Sequence, residues 1–356
     1  MEIARIVALL VVFGISFLYY RRVTKPSGSA PTPGAAEKLG LLPQSRQNAL
    51  LASPAPELER ALAATAGGGW EPAARLMAAT REGRDWARRA QCADALGSVA
   101  GRGADEWLCA WEEAVGADDP DVALVRLEAT VTLAWHLRGG GWAKDTSREQ
   151  FAGFHNALER ARGEVERAKA LGPEDPTPYV SEIRTALGLG YPHEEMHRIW
   201  NEVTARDPYH YGAHGAALKY WCAKWRGSEE LATSFARDAA AGAPLGSLLA
   251  VLPLVAWWEH RGDGAKTADF RAPHLMDLAD AALADVAAAP PGGPDTARVR
   301  HFLAYFLTRQ GRYEAALEQF RLVDGYVNGA PWAYYDDPAE AYCVFRELAA
   351  RGARSR

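Results

Sequence analysis

The feature that most constrains the fold of this chain is a pair of amphipathic helices in residues 298–323, RVRHFLAYFLTRQGRYEAALEQFRLV. Apolar residues recur there at spacings of three and four, which places them on one face of each helix. Gly311 separates the two halves. The pattern over residues 304–320 is A-x-x-L-x-x-x-G-x-Y-x-x-A-x-x-x-F. The segment therefore predicts two packed helices joined by a short turn.

A related spacing recurs through the C-terminal half of the chain. A set of four residues recurs there: a small or apolar residue followed by residues 4, 7 and 12 positions later. Each complete set ends in a proline, which delays the start of the next helix. The sets are Met196, Trp200, Val203 and Pro208; Ala232, Ala236, Ala239 and Pro244; Ala279, Leu283, Val286 and Pro291; and Ala316, Phe320, Val323 and Asn328. The sets begin 36, 47 and 37 residues apart. The spacing therefore predicts consecutive helix pairs.

These motifs resemble the tetratricopeptide repeat, whose units are helix pairs of roughly 34 residues. The resemblance covers four units, about residues 177–328, and residues 304–320 carry it most strongly. It implies an all-α fold, an α-solenoid in which one unit cannot bury its own apolar face, so that units stack. The chain is also similar to the helical-repeat proteins common in actinobacteria, a bacterial likeness that implies no activity.

The same patterns divide the chain into regions. Residues 48–176 are predicted to be a divergent helical region, and residues 177–356 the repeats with a capping helix. Asp337, Pro338 and Glu340 supply an N-cap, a first-turn proline and a capping-box glutamate, so the capping helix should begin there and run to about Arg351. Pro253 should kink an apolar helix in residues 245–258.

Residues 1–22 are predicted to form a single transmembrane helix. The 18 residues from Ile3 to Tyr20 would span roughly 27 Å as a helix, close to the roughly 30 Å of bilayer hydrocarbon. Arg21 and Arg22 follow directly, which favours an uncleaved anchor over a cleaved signal peptide. The expected location is the cell membrane, single-pass, with the body cytoplasmic. The Pro, Gly, Ser and Ala content of residues 23–47 predicts a flexible linker.

Charge and motif content narrow the classes of function. Residues 1–25 carry a net charge of +3 and the remaining chain −8, so nucleic acid is not expected to bind the body. The four cysteines show no C-x-x-C pair or regular spacing, which predicts reduced thiols. No Ser-His-Asp order, phosphate loop or paired-carboxylate motif is present. We therefore expect no cofactor and no catalytic residues.

One sequence motif is typical of an enzyme. An H-E-x-x-H sequence on a helix places two imidazoles one turn apart with a carboxylate as base, as in zinc peptidases. The motif comprises His193, Glu194, Glu195, Met196 and His197. A zinc metallohydrolase with His193 and His197 as weak candidate metal ligands is therefore an alternative function. Against it, Pro192 places His193 in the first helical turn, and no G-x-x-H follows.

Residues 207–225 are the aromatic centre of the chain. Ligand or metal capture by its histidines is one interpretation. Alignment of this segment with the repeat pattern instead places His214 and Trp221 at packing positions. This favours a role in the core, because buried aromatic residues usually serve packing.

The resemblance also implies a binding surface, since the first helix of each tetratricopeptide unit lines the concave face of the array. In the last unit the inward residues are Arg298, His301, Tyr305, Thr308 and Arg309. Arginine forks bind carboxylates, so the expected partner is a protein with an acidic segment. The same positions of the unit beginning at Tyr211 are mostly small, which predicts an open stretch there.

These observations predict a membrane-anchored, non-catalytic scaffold that binds a protein partner through a concave groove. Two other interpretations stay open beside the zinc hydrolase. The groove residues would be ordinary solvated side chains if the face were merely exposed. The protein would be a self-associating structural subunit if the end of the array bound a second copy.

Overall fold

The computed structural model describes residues 34–139 and 146–354. Within these ranges the chain is all-α, as predicted, with sixteen α-helices and no β-strand. The helices are α1 Pro56–Thr65, α2 Glu71–Glu82, α3 Trp86–Ala100, α4 Glu106–Val115, α5 Pro120–Arg138, α6 Arg148–Leu171, α7 Thr177–Leu189, α8 His193–Arg206, α9 Tyr211–Trp221, α10 Glu229–Gly242, α11 Leu252–Arg261, α12 Thr267–Phe270, α13 Pro273–Ala288, α14 Thr296–Gln310, α15 Tyr313–Val323 and α16 Pro338–Arg354.

The helix boundaries follow from local chemistry. Gly311 adopts a left-handed conformation with φ of 75° and ends α14, as a residue without a Cβ can do without strain. Asp337 accepts a hydrogen bond from the Glu340 backbone amide at 2.9 Å, which confirms the predicted start of α16. Pro253 stands in the first turn of α11 and not in a helix interior. It therefore begins a helix instead of kinking one, because the first turn needs no proline N–H.

The predicted packing residues of the repeats are largely buried. Consecutive helices pack as pairs, among them α7 with α8, α9 with α10 and α14 with α15. One large buried cluster joins residues of α1 to α6, a second joins α7 to α11, and a third joins α11 to α16. Met196, Val203, Ala236 and Phe320 are buried, whereas Trp200 is only partly buried.

The segment before α1 packs onto the C-terminal end of the chain. The Ala35 and Ala36 amides each donate to the Glu347 carboxylate at 2.9 Å. Asn48 forms an isolated parallel bridge with Tyr326. Residues 34–47, predicted from composition to be flexible linker, are therefore held in place, since these donors and the buried Leu41 side chain find partners about 300 residues away in sequence.

The predicted transmembrane helix lies outside the described residues. Among the helices of residues 34–139 and 146–354, none has the length and apolar character that a bilayer span requires.

Candidate functional site

The predicted groove of the last unit is filled by the protein itself. His301 is fully buried, and its Nε2 lies 3.0 Å from the Ala52 carbonyl oxygen. The Trp332 Nε1–H donates to His301 Nδ1 at 3.2 Å. Tyr305 is 3% exposed, and its ring centroid lies 4.9 Å from that of Phe345. The inner side of α14 is therefore part of the core, because segments from both ends of the chain fold over it.

The remaining predicted groove residues also contact other parts of the protein. Thr308 is buried and donates to the carbonyl of the preceding turn of α14. Arg309 donates to the Ala265 carbonyl at 2.8 Å and lies 4.3 Å from the Phe270 ring centroid. Arg298 lies 3.5 Å from the Asp295 carboxylate. The expectation of an acidic partner depended on available arginines here. Arg309 is bound within the chain, whereas Arg298 is partly exposed beside Asp295.

The buried imidazole of His301 makes stability depend on pH. Burial lowers the pKa of His301 from 6.5 to about 4. The unfolded chain therefore binds the proton more tightly, so this contribution is fully present above about pH 6.5 and is lost as the pH falls towards 4. We expect a loss of roughly 3 kcal/mol across this window.

Urea unfolding of wild type and His301→Gln at pH 7, 5.5 and 4 measures the effect, because glutamine does not titrate and the carboxylates are common to both proteins. The stability difference between the two should shrink as the pH falls. Parallel pH profiles would contradict the prediction.

Only part of the corresponding face of α9 is accessible, because Lys219 and Ala223 are exposed whereas Cys222 is fully buried. A Cβ added at Gly215 would meet no atom within 4 Å, and the Lys219 side chain is exposed. The Lys219 Nζ lies 5.5 Å from the Tyr334 ring centroid. By helical periodicity, His214 and Trp221 project from the opposite side of α9.

A cleft of about 520 Å³ lies on that opposite side, between α8 and α10. The α8 wall consists of His193, His197, Trp200 and Thr204. The α10 wall consists of Leu231, Ser234, Phe235, Asp238, Ala239 and Gly242. The members of each wall recur at spacings of three and four, so each wall is one continuous helix face. His214 and Trp221 form the floor.

Aromatic rings give the cleft its character. The Trp200 ring meets the rings of Phe235 and His214 nearly edge-on, with centroids 5.1 and 4.8 Å apart. Trp200 and Phe235 are partly exposed, and Leu231 is 42% exposed. The sequence patterns identified His214 and Trp221 as packing residues but missed the cleft. The available signal was the second stripe of α10, which includes Phe235 and lies beside the packing stripe of Ala232 and Ala236.

The H-E-x-x-H motif lies at one end of this cleft. The His193 Nε2 is 2.7 Å from the Arg226 carbonyl oxygen, so that nitrogen donates to the backbone. The rings of His193 and His197 both pack against Trp221, with centroids 4.9 and 5.1 Å away. Within residues 34–139 and 146–354, no group of three or more His, Cys, Asp or Glu side chains is placed to hold a metal ion. The two histidines of the motif thus form part of the cleft wall.

We expect the motif to be inert towards zinc. Dialysed protein should contain no stoichiometric zinc by elemental analysis. The Glu194→Gln variant should melt within about 2 °C of wild type, because Glu194 is exposed and surface substitutions change stability little. One zinc ion per chain, lost on His197→Ala, would contradict this and restore the metallohydrolase.

Comparison with known proteins does not assign the chain: no protein-family model matches it, and neither the curated proteins nor the solved structures give a significant match.

Proposed function

We propose that this protein is a non-catalytic binding scaffold of tetratricopeptide-like helix pairs, stacked as an α-solenoid, that holds a peptide segment of a partner protein between α8 and α10. The observation that carries the proposal is the cleft itself, with two helix faces left apart and partly exposed aromatic rings between them. Its volume lies within the roughly 300–1,000 Å³ of typical ligand sites. Peptide segments are commonly bound in such apolar grooves between helices.

The position of the site differs from the concave groove that the repeat resemblance implies. The inner face of the last unit is covered by Trp332 and Ala52, so a partner would have to displace core residues to reach it. The cleft needs no such displacement. Its α8 wall extends over 12 residues, or roughly 17 Å of helix, which suits a short extended or helical segment.

A site-specific photo-cross-linker tests the proposal. A benzophenone amino acid at position 231, at the cleft rim, should give a product with a second, different protein in intact cells. The same group at Leu322, which is 56% exposed on α15, is the matched control and should not. The product should also be lost in a folded Trp200→Ala background. Products containing only this chain would favour the self-associating subunit, and no product at position 231 would contradict the proposal.

The membrane location belongs to the same proposal, because residues 3–20 form the long apolar stretch of the sequence. Deleting residues 1–25 should give a soluble, fully helical protein, since the truncation retains Ala35 and Ala36, whose amides donate to Glu347. Fractionation of wild type and truncation, with circular dichroism of the latter, measures this. A folded truncation that stays in the membrane pellet would contradict the anchor.

The orientation of the protein in the membrane can be measured separately. Cys109 is exposed, so a cytoplasmic body predicts that a membrane-impermeant thiol reagent labels it only after cell lysis. Labelling in intact cells would reverse the orientation.

A further inference from the structure

We infer that the cleft between α8 and α10 selects a partner segment carrying a lysine or arginine side chain flanked by apolar residues. This inference rests on the proposed function and specifies the chemistry of the segment.

Charge complementarity points to a cation. Asp238 is the one carboxylate among the residues that line the cleft, and no lysine or arginine lines it. Asp238 is exposed on α10, and its Oδ2 lies 3.4 Å from the Ser234 hydroxyl. Within the described part of the chain, Asp238 forms no ion pair with a lysine or arginine. The carboxylate therefore offers an acceptor to a positive group that enters the cleft.

The floor of the cleft adds no opposing charge. Burial lowers the pKa of His214, and its ring Nδ1 lies 3.0 Å from the His210 carbonyl oxygen, so the imidazole is neutral at pH 7. Outside residues 1–25 the chain carries a net charge of −8. This net charge favours the approach of a cationic segment over that of an acidic one. This reverses the sign of the partner that Arg298 and Arg309 suggested from sequence.

The aromatic walls suit the stem of such a side chain. A cation within about 6 Å of a ring centroid is attracted to the ring face, and tryptophan is the strongest partner. Trp200 and Phe235 present partly exposed rings from opposite walls, and Asp238 follows Phe235 by three residues, on the same face of α10. A lysine or arginine stem can therefore lie along the rings while its head reaches the carboxylate.

The chain already uses this chemistry elsewhere. The Arg206 guanidinium lies 4.5 Å from the Tyr179 ring centroid, and Arg309 lies 4.3 Å from that of Phe270. In both cases an arginine of the chain covers an aromatic ring. In the cleft, no cation of the lining covers Trp200 or Phe235.

Binding of three acetylated tripeptide amides to the full chain in a nonionic detergent tests the inference. The probes are leucine-lysine-leucine and its analogues with norleucine or glutamate in place of lysine. Norleucine lacks only the ammonium group. Fluorine NMR of protein labelled with 5-fluorotryptophan detects binding in the cleft through the Trp200 signal. That signal is assigned as the one missing from the Trp200→Phe variant. Choline is a fourth probe for a small-molecule cation.

The lysine probe should bind about three- to tenfold tighter than the norleucine probe, and the glutamate probe weakest. Asp238→Asn should bring the lysine-to-norleucine ratio close to one. Asp277→Asn, at an exposed carboxylate on α13 that is outside the cleft, is the matched control and should leave the ratio unchanged. Raising the salt concentration should bring the lysine-to-norleucine affinity ratio of the wild-type protein closer to one.

Equal binding of lysine and norleucine probes, or no shift of the Trp200 signal by any probe, would overturn the inference. Tightest binding by the glutamate probe would overturn it in favour of an acidic segment. Choline binding more tightly than the lysine probe would overturn the peptide occupant and indicate a small quaternary ammonium ligand. The proposed function fails separately, since it depends on the cross-linked product at position 231.

Discussion

Trp332→Ala is expected to lower the free energy of unfolding by about 3–5 kcal/mol, the range for truncating a buried tryptophan. Trp332 has no exposed surface, and its ring lies against those of Phe345 and Tyr342, with centroids 5.5 and 5.7 Å away. It also donates to His301 Nδ1. Its loss leaves a cavity at the point where the segments from both ends of the chain cover α14.

Trp332→Phe separates the two contributions. Phenylalanine retains most of the buried ring but leaves His301 Nδ1 without its donor, which should cost about 1–3 kcal/mol. Urea unfolding monitored by circular dichroism gives both values. Losses of less than 1 kcal/mol for Trp332→Ala would contradict the placement of this segment in the core.

Arg89→Met is expected to cost about 3–5 kcal/mol, because it leaves the buried Asp175 carboxylate without its counter-charge, whereas Asp121 keeps an ion pair with Arg81. Arg89 is 1% exposed on α3. Its Nη1 lies 2.7 Å from Asp121 at the start of α5, and its Nε lies 2.5 Å from Asp175 in the loop before α7. One guanidinium therefore joins α3, the start of α5 and the loop before α7.

A double-mutant cycle distinguishes lost charge pairing from lost packing. Arg89→Met combined with Asp175→Asn should cost less than the sum of the two single changes by about 1–3 kcal/mol, since the second change removes the carboxylate that the first leaves unpaired. Arg88→Met is the matched control, as Arg88 pairs with Asp85 at the exposed surface and should contribute about 1 kcal/mol or less. Strict additivity would indicate that the buried pair is not coupled.

The candidate site shows where sequence reasoning succeeded and where it failed. The repeat pattern predicted an open face on α9, where Lys219 is exposed but Cys222 is buried. It also placed His301 and Tyr305 on an open face, and they are buried. Periodicity describes one helix at a time, and the residues that cover α14 come from positions 52 and 332, far from it in either direction.

Local chemistry explains why the sequence by itself determined the all-α fold, the Gly311 turn and the start of α16. A left-handed glycine, an aspartate N-cap and a period of three to four act over a few residues and can be recognised in the chain. Only the tertiary structure decided that residues 34–47 pack onto Glu347, that α14 is covered, and that α8 and α10 stand apart around Trp200 and Phe235. These outcomes depend on contacts between distant segments, whose free energy comes from burial and pairing that no local pattern contains.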